Sequence, residues 1–173
     1  FLPVVLEERY LGARLSYSRR RSETTLGAKL AECVRMCERI QHLPLSLDVR
    51  AALVGSFVNS KALYACSATP PSHKVLAKLR AACSRAVWGQ ANPWRAPEIL
   101  HTLICKGHQV DPRQAISFST LVVARRVLRR HPELHVTFAQ VLACRRLEAK
   151  TNLGGPVAAL LRACHIANIE LET

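Results

Sequence analysis

The stretch ETTLGAKLAECVRMCERIQ, residues 23–41, decides the fold because its apolar side chains recur at helical spacing. The apolar series is Leu26, Leu30, Cys33, Cys37 and Ile40. At about 100° per residue these positions form one narrow stripe. Charged side chains, such as those of Arg35 and Glu38, lie on the other side. The spacing predicts an amphipathic helix whose stripe packs against other helices.

Similar signals predict further helices along the chain. They cover residues 46–66, 72–88, 96–105, 112–131, 133–149 and 157–167. Ser46, Ser72 and Asp111 are suitable N-caps, and prolines or Gly154-Gly155-Pro156 separate the segments. Lys106 to Val110 is predicted to be a loop. We therefore expect a mainly α protein, a bundle of about six to seven helices.

The second and third helices show their expected packing faces. In the second, Val49, Leu53, Phe57 and Tyr64 share a face, and small residues fill much of the rest, which is typical of a central helix. In the third, the apolar stripe is Leu76, Leu79, Cys83 and Val87.

The N-terminal part is expected to form a small β-hairpin or strand pair, from residues 3–7 and 10–15. The basic triplet Arg19-Arg20-Arg21 follows it. This organisation predicts a β element at 1–17, a helical bundle at 18–92 and a further helical segment of unknown role at 93–173.

The charge of the chain indicates a polyanionic partner. Net charge is +13, and arginine outnumbers lysine about threefold. Guanidinium groups suit bidentate phosphate contacts, so nucleic acid is favoured over an acidic membrane surface. No apolar run approaches the ~18 residues of a membrane span, and we expect no membrane partner.

The cysteines indicate the cellular compartment of the chain, and the first residues indicate whether it is part of a longer protein. Seven scattered cysteines fit a reducing, intracellular compartment, nuclear or cytoplasmic, better than a disulfide framework. Cys33 and Cys37 lie one turn apart, a spacing that can ligate metal, but the apolar stripe favours a core role, and we expect no metal site. The apolar start lacks a basic leader and a cleavage site, so we expect no signal peptide, and because the chain begins at Phe1 in mid-pattern we expect a piece of a longer protein.

The sequence predicts no catalytic residues. The few acidic residues fall in different elements, and no Gly-rich phosphate loop follows a strand. We interpret the acids as helix caps and surface partners, and expect no cofactor in this chain.

The basic side chains are the candidate binding residues. They are Arg19, Arg20, Arg21, Lys74, Lys78 and Arg85. A solvated helix face is the alternative interpretation, but the third helix contains no acidic residue, whereas surfaces built for solubility mix signs. Arg125, Arg126, Arg129 and Arg130 form a second cluster, and chain order leaves open whether the basic clusters together form one surface. Trp88 and Trp94 could stack on bases, although packing is the favoured interpretation.

Short motifs in a fixed order resemble the region downstream of the palm in reverse transcriptases of non-LTR (LINE-type) retrotransposons. The motifs are Tyr10-Leu11-Gly12, Leu43-Pro44-Leu45, Lys61-Ala62-Leu63-Tyr64-Ala65, Leu79-Arg80, Ala86-Val87-Trp88-Gly89, Pro97-Glu98-Ile99-Leu100 and Gly107-His108-Gln109-Val110-Asp111-Pro112. The resemblance covers residues 8–115. Residues 116–173 carry no recognised pattern.

The resemblance implies that Tyr10, Leu11 and Gly12 belong to a primer grip and that the first three helices form a thumb on the template–primer duplex. It also implies an upstream palm domain as partner, with Mg²⁺ in that parent polymerase. The palm's Asp-Asp strand is absent from this sequence, and two-metal nucleotidyl transfer needs those carboxylates. We therefore expect a non-catalytic fragment that holds RNA–DNA or other duplex through phosphate contacts.

An alternative from another class stays open. The chain could be a basic helical protein-interaction module, or a decayed retroelement remnant, whose charge only keeps it dissolved. One continuous positive surface favours nucleic acid, and scattered positive charges favour the module.

Overall fold

The computed structural model describes residues 7–10, 13–16, 24–64, 66, 71–89, 96–147 and 156–169. Two short strands, β1 (Glu7–Tyr10) and β2 (Ala13–Ser16), pair antiparallel with Glu7 opposite Ser16 and Tyr10 opposite Ala13. The candidate residues Leu11, Gly12 and Arg19 to Arg21 lie outside the described residues, as does Trp94.

Helices make up nearly all of the rest, which confirms the mainly α class. The longer ones are α1 (Thr24–Gln41), α2 (Leu47–Leu53), α4 (His73–Trp88), α7 (Pro112–Arg130), α8 (Leu134–Leu147) and α9 (Pro156–Ala167). Single turns form α3 (Ser60–Ala62), α5 (Pro97–Ile99) and α6 (Gly107–Val110). Two π-helical segments, π1 (Val54–Asn59) and π2 (Leu100–Ile104), continue α2 and α5.

The core lies where α1 packs against α4. Leu30, Cys33, Cys37 and Ile40 of α1 are buried, as are Leu79, Cys83 and Val87 of α4. The Sγ atoms of Cys37 and Cys83 lie 3.9 Å apart between the two helices. The predicted stripes of both helices are thus confirmed at these positions, and the cysteines are part of the core. Gly89, with φ of 84°, ends α4 in a conformation that a side chain would strain.

The predicted packing face of the second helix is wrong. Phe57 and Tyr64 are 59% and 55% exposed, whereas Val54 and Val58 are fully buried. Val49, which precedes π1, is also exposed, and the core-facing residues Leu47, Ala51, Val54, Val58 and Ala62 follow ordinary α-helical spacing. The sequence therefore offers two apolar stripes, and the predicted one is not the one that packs. Only one side of this segment is buried, and the helix is not central.

The physical reason for π1 is a contact far along the chain. Asn59 Nδ2 donates to the carbonyls of Gln109 and Val110, at 2.6 and 3.0 Å. Gly55 lies under the Gln109 carbonyl, where an added Cβ would be 3.4 Å from the oxygen. Asn59 and Gly55 of π1 therefore both contact the backbone at Gln109.

The segment that Asn59 and Gly55 contact, residues 106–110, was predicted to be a loop, and this prediction is wrong. Residues Gly107–Val110 form the single turn α6. Its Gln109 and Val110 carbonyls accept from Asn59, and the backbone N–H of Asp111 donates to the Gly107 carbonyl at 2.8 Å. A Cβ at Gly107 would lie 2.5 Å from the His101 carbonyl, so only glycine fits there.

The second half of the chain packs on this core. Leu100 and Val110 belong to the same buried cluster as α1 and α4. Residues on both sides of the domain boundary predicted at residue 92 therefore share one core. The boundary stays a prediction. α9 buries Leu160 and Ala163 where it packs on α7.

The predicted N-caps differ in their hydrogen bonds. Asp111 caps α7 as predicted, accepting from the Arg113 backbone N–H at 2.9 Å. Ser46 and Ser72 stand at the expected N-cap positions, but neither hydroxyl bonds the helix backbone. None of the described helices is long and apolar enough to cross a membrane.

Candidate nucleic-acid interface

The outer side of α4 carries the candidate cations. Lys74, Lys78 and Arg85 are all exposed and follow the spacing i, i+4, i+11, so they lie in an arc of about 40° around the helix. At 1.5 Å per residue they extend about 16 Å along the axis. Ala77 and Ala81 are the exposed residues beside them, and both are small. The structure thus brings three predicted residues together on one helix face.

The charges on this face are not neutralised within the described part of the chain. None of Lys74, Lys78 and Arg85 forms a salt bridge there, in contrast to Lys61, whose Nζ lies 2.6 Å from Glu32 Oε1. Because α4 itself contains no acidic residue, its outer face presents positive charge to the solvent. We will call Lys74, Lys78 and Arg85 the α4 face.

A buried ion pair fixes the opposite side of α4. Arg80 Nε donates to Asp111 Oδ2 at 2.8 Å, and the Asp111 side chain is only 1% exposed. The other carboxylate oxygen caps α7. One carboxylate therefore connects α4 to the start of α7 and orients the α4 face outward.

A second polar contact lies beside this pair. His101 Nε2 is 3.1 Å from Ser84 Oγ, and both residues are buried. Ser84 Oγ also donates to the Arg80 carbonyl at 2.9 Å. His101 Nδ1 has no hydrogen-bond partner among the described residues, so the imidazole is not bonded to Asp111, and His101 and Ser84 are only 2% and 4% exposed. We interpret the group as packing that links α4 to π2.

The buried imidazole predicts a pH-dependent stability. Burial lowers the pKa of His101; the Asp111 and Glu98 carboxylates act in the opposite direction, and the Arg80 guanidinium acts with burial. The unfolded chain, with a histidine pKa of about 6.5, therefore takes up this proton first as the pH falls. We expect the free energy of unfolding to decrease as the pH drops below about 6.5.

Urea unfolding of the wild type and His101→Gln, at about pH 7.5 and 5.5, checks this expectation. Glutamine keeps a donor for Ser84 but does not titrate. The urea concentration at the unfolding midpoint should therefore fall less for the variant than for the wild type between about pH 7.5 and 5.5. Equal losses would show that His101 does not contribute.

The second arginine cluster lies on the exposed side of α7. Arg125, Arg126, Arg129 and Arg130 of α7 line a shallow, open depression on the surface of that helix, together with Val122. All four arginines are exposed. An aromatic contact that the sequence reasoning missed lies on the same helix, between the rings of Phe118 and His108.

The remaining candidates have other roles or stay undescribed. Trp88 packs against the core, and its buried Nε1 has no hydrogen-bond partner among the described residues, which confirms the packing interpretation. Burial raises the pKa of the Cys66 thiol to about 11, which keeps it protonated at neutral pH. In the described segments, no cluster of His, Cys, Asp or Glu could hold a metal ion.

The fold and these surfaces define a basic, mainly helical protein with two exposed cationic helix faces. No protein-family model matches the chain, and no curated protein or solved structure is significantly similar to it.

Proposed function

We propose that this chain binds duplex nucleic acid, an RNA–DNA hybrid first, through phosphate contacts of the α4 face. In this proposal it is a non-catalytic, thumb-like part of a LINE-type reverse transcriptase. The observation that carries the proposal is the α4 face: three exposed cations in one arc, with no salt bridge in the described residues and no acid on the helix.

The chemistry of the α4 face suits a phosphate backbone. Each cation that meets a phosphate releases condensed counterions, which drives association without reading bases. Ala77 and Ala81 leave room for a backbone to approach the helix closely. Arg85 adds a planar fork for two phosphate oxygens, and the two lysines act as point charges.

The resemblance supplies the rest of the proposal. Tyr10 is the last paired residue of β1, opposite Ala13, and Leu11 and Gly12 lie outside the described residues. In the proposed parent enzyme Tyr10, Leu11 and Gly12 position a primer end, and Arg19 to Arg21 add phosphate contacts. Polymerisation and Mg²⁺ binding belong to the upstream palm domain, because this sequence has no Asp-Asp pair.

The salt dependence of binding tests the proposal. An RNA–DNA hybrid titrated with the full chain should give a linear plot of log affinity against log KCl concentration. Three phosphate contacts predict a slope of about −2.7, and further contacts make it steeper. Absent or salt-insensitive binding would contradict the proposal and favour the alternative, a protein-interaction module or decayed remnant.

A further inference from the structure

The outer face of α7 combines arginine with an exposed aromatic ring. Phe118, Val122, Arg125 and Arg129 follow the spacing i, i+4, i+7, i+11, so they fall within about 60° of the helix circumference. Ser117 and Thr120, on the far side of the helix, are buried. The stripe therefore faces away from the core.

The arginines of this stripe form a built cationic surface. With Arg126 and Arg130 they line one open depression, and none of the four forms a salt bridge within the described residues. Each guanidinium presents five N–H donors in a plane and stays charged at any physiological pH. These exposed guanidinium groups therefore suit an anionic group with several acceptor oxygens, such as a phosphate.

Phe118 adds a flat apolar surface next to the arginines. Its side chain is 51% exposed, and its ring centroid lies 5.1 Å from that of His108, with the planes inclined by 44°. His108, from α6, is also exposed. A half-exposed phenylalanine held by a second ring is a suitable platform for a nucleobase.

The distances favour a single strand over other anionic partners. Phe118 and Arg129 are about 16 Å apart along the helix axis, the span of a few nucleotides. Bases within a duplex are already stacked on their neighbours and offer no free face to Phe118. An acidic peptide would pair with the arginines but leave the two rings without a planar partner.

We infer that the outer face of α7 binds single-stranded nucleic acid, with a base stacked on Phe118, whose ring His108 supports, and the following phosphates held by Arg125, Arg126, Arg129 and Arg130. This surface goes beyond the duplex contacts proposed for α4 and does not depend on them.

Fluorescence anisotropy of the full chain with a labelled oligothymidylate of about eight nucleotides tests the inference. Phe118→Ala should weaken binding about 10-fold without changing the salt slope, because stacking involves no counterion release. Phe57→Ala is the matched control, since Phe57 is 59% exposed on another element, and it should leave the affinity unchanged.

The charged part of the surface has its own variant. The double variant Arg125→Ala and Arg129→Ala should flatten the salt slope for the oligonucleotide by about 1.4, at 0.7 for each contact with a single strand. The same change at Arg35 and Arg39, exposed on α1, should flatten it less.

Two results would overturn the inference. One is equal oligonucleotide affinity of the wild type and Phe118→Ala. The other is a weakening by Phe118→Ala that is just as large for a polyglutamate peptide, which would make the face a site for acidic peptides.

Hybrid binding separates this inference from the proposed function. Phe118→Ala should leave affinity for the RNA–DNA hybrid unchanged, and replacing the α4 face by alanine should leave the Phe118-dependent part of oligonucleotide binding intact. If the α4 alanine variant binds the hybrid as tightly as the wild type while Phe118→Ala still weakens oligonucleotide binding, the α4 proposal alone is contradicted.

Discussion

Asp111→Ala is expected to lower the free energy of unfolding by about 2–4 kcal/mol, more than an ordinary surface substitution would. The Asp111 carboxylate pairs with Arg80 at 2.8 Å and caps α7 through the Arg113 backbone N–H at 2.9 Å. Removing it leaves the guanidinium without its partner and the first turn of α7 without its cap. Because the Arg80 side chain is 28% exposed, water offsets part of the loss.

One related variant separates the contribution of the ion pair from that of the helix cap, and a second serves as its control. Asp111→Asn keeps an oxygen for the cap but loses the charge, so it should destabilise less than alanine does. Glu32→Ala is the matched control: it removes a carboxylate 2.6 Å from Lys61 at an exposed site, where water screens the pair, so it should change the stability little. Urea unfolding measures all three. A cost at Asp111 no larger than at Glu32 would show that the buried pair does not connect α4 to α7.

The triple variant Lys74→Ala, Lys78→Ala and Arg85→Ala is expected to lose about 100- to 1,000-fold in affinity for an RNA–DNA hybrid at ~0.1 M salt. Each phosphate contact contributes about eightfold at this salt concentration, and the three contributions multiply. The side chains are exposed and have no salt bridge in the described residues, so the variant should fold as the wild type does.

Filter binding or anisotropy at fixed salt measures this loss, and thermal unfolding checks that the fold is intact. Lys61→Ala is the matched control, because it removes a charge that Glu32 already neutralises. A triple variant that binds the hybrid as well as Lys61→Ala does would mean that phosphates contact other residues.

The sequence predicts α1 and α4 well because their packing is periodic. Leu30, Cys33 and Cys37 recur at helical spacing, and burial of such a stripe requires only one partner helix. The exposed cations of α4 follow from the same periodicity, since Lys74 and Lys78 lie opposite that helix's stripe.

The parts that the sequence does not predict depend on contacts between distant segments. Asn59 bonds the carbonyls of Gln109 and Val110 across some fifty positions, so neither π1 nor α6 is visible in local periodicity. The wrong face of the second helix has a different cause: this helix has two apolar stripes, and local periodicity does not decide which one packs on α1 and α4. The α7 stripe of Phe118, Val122, Arg125 and Arg129 is visible in the sequence as i, i+4, i+7, i+11 spacing. The sequence analysis did not include Phe118 with the arginines and therefore missed it.

The most direct measurement compares the salt slopes of hybrid binding for the wild type and the triple α4 variant. If the α4 face contacts phosphates, the slope should flatten by about 2.7, that is 0.9 for each of Lys74, Lys78 and Arg85, whereas Lys61→Ala should leave it nearly unchanged. Equal slopes for wild type and triple variant would contradict duplex binding by the α4 face.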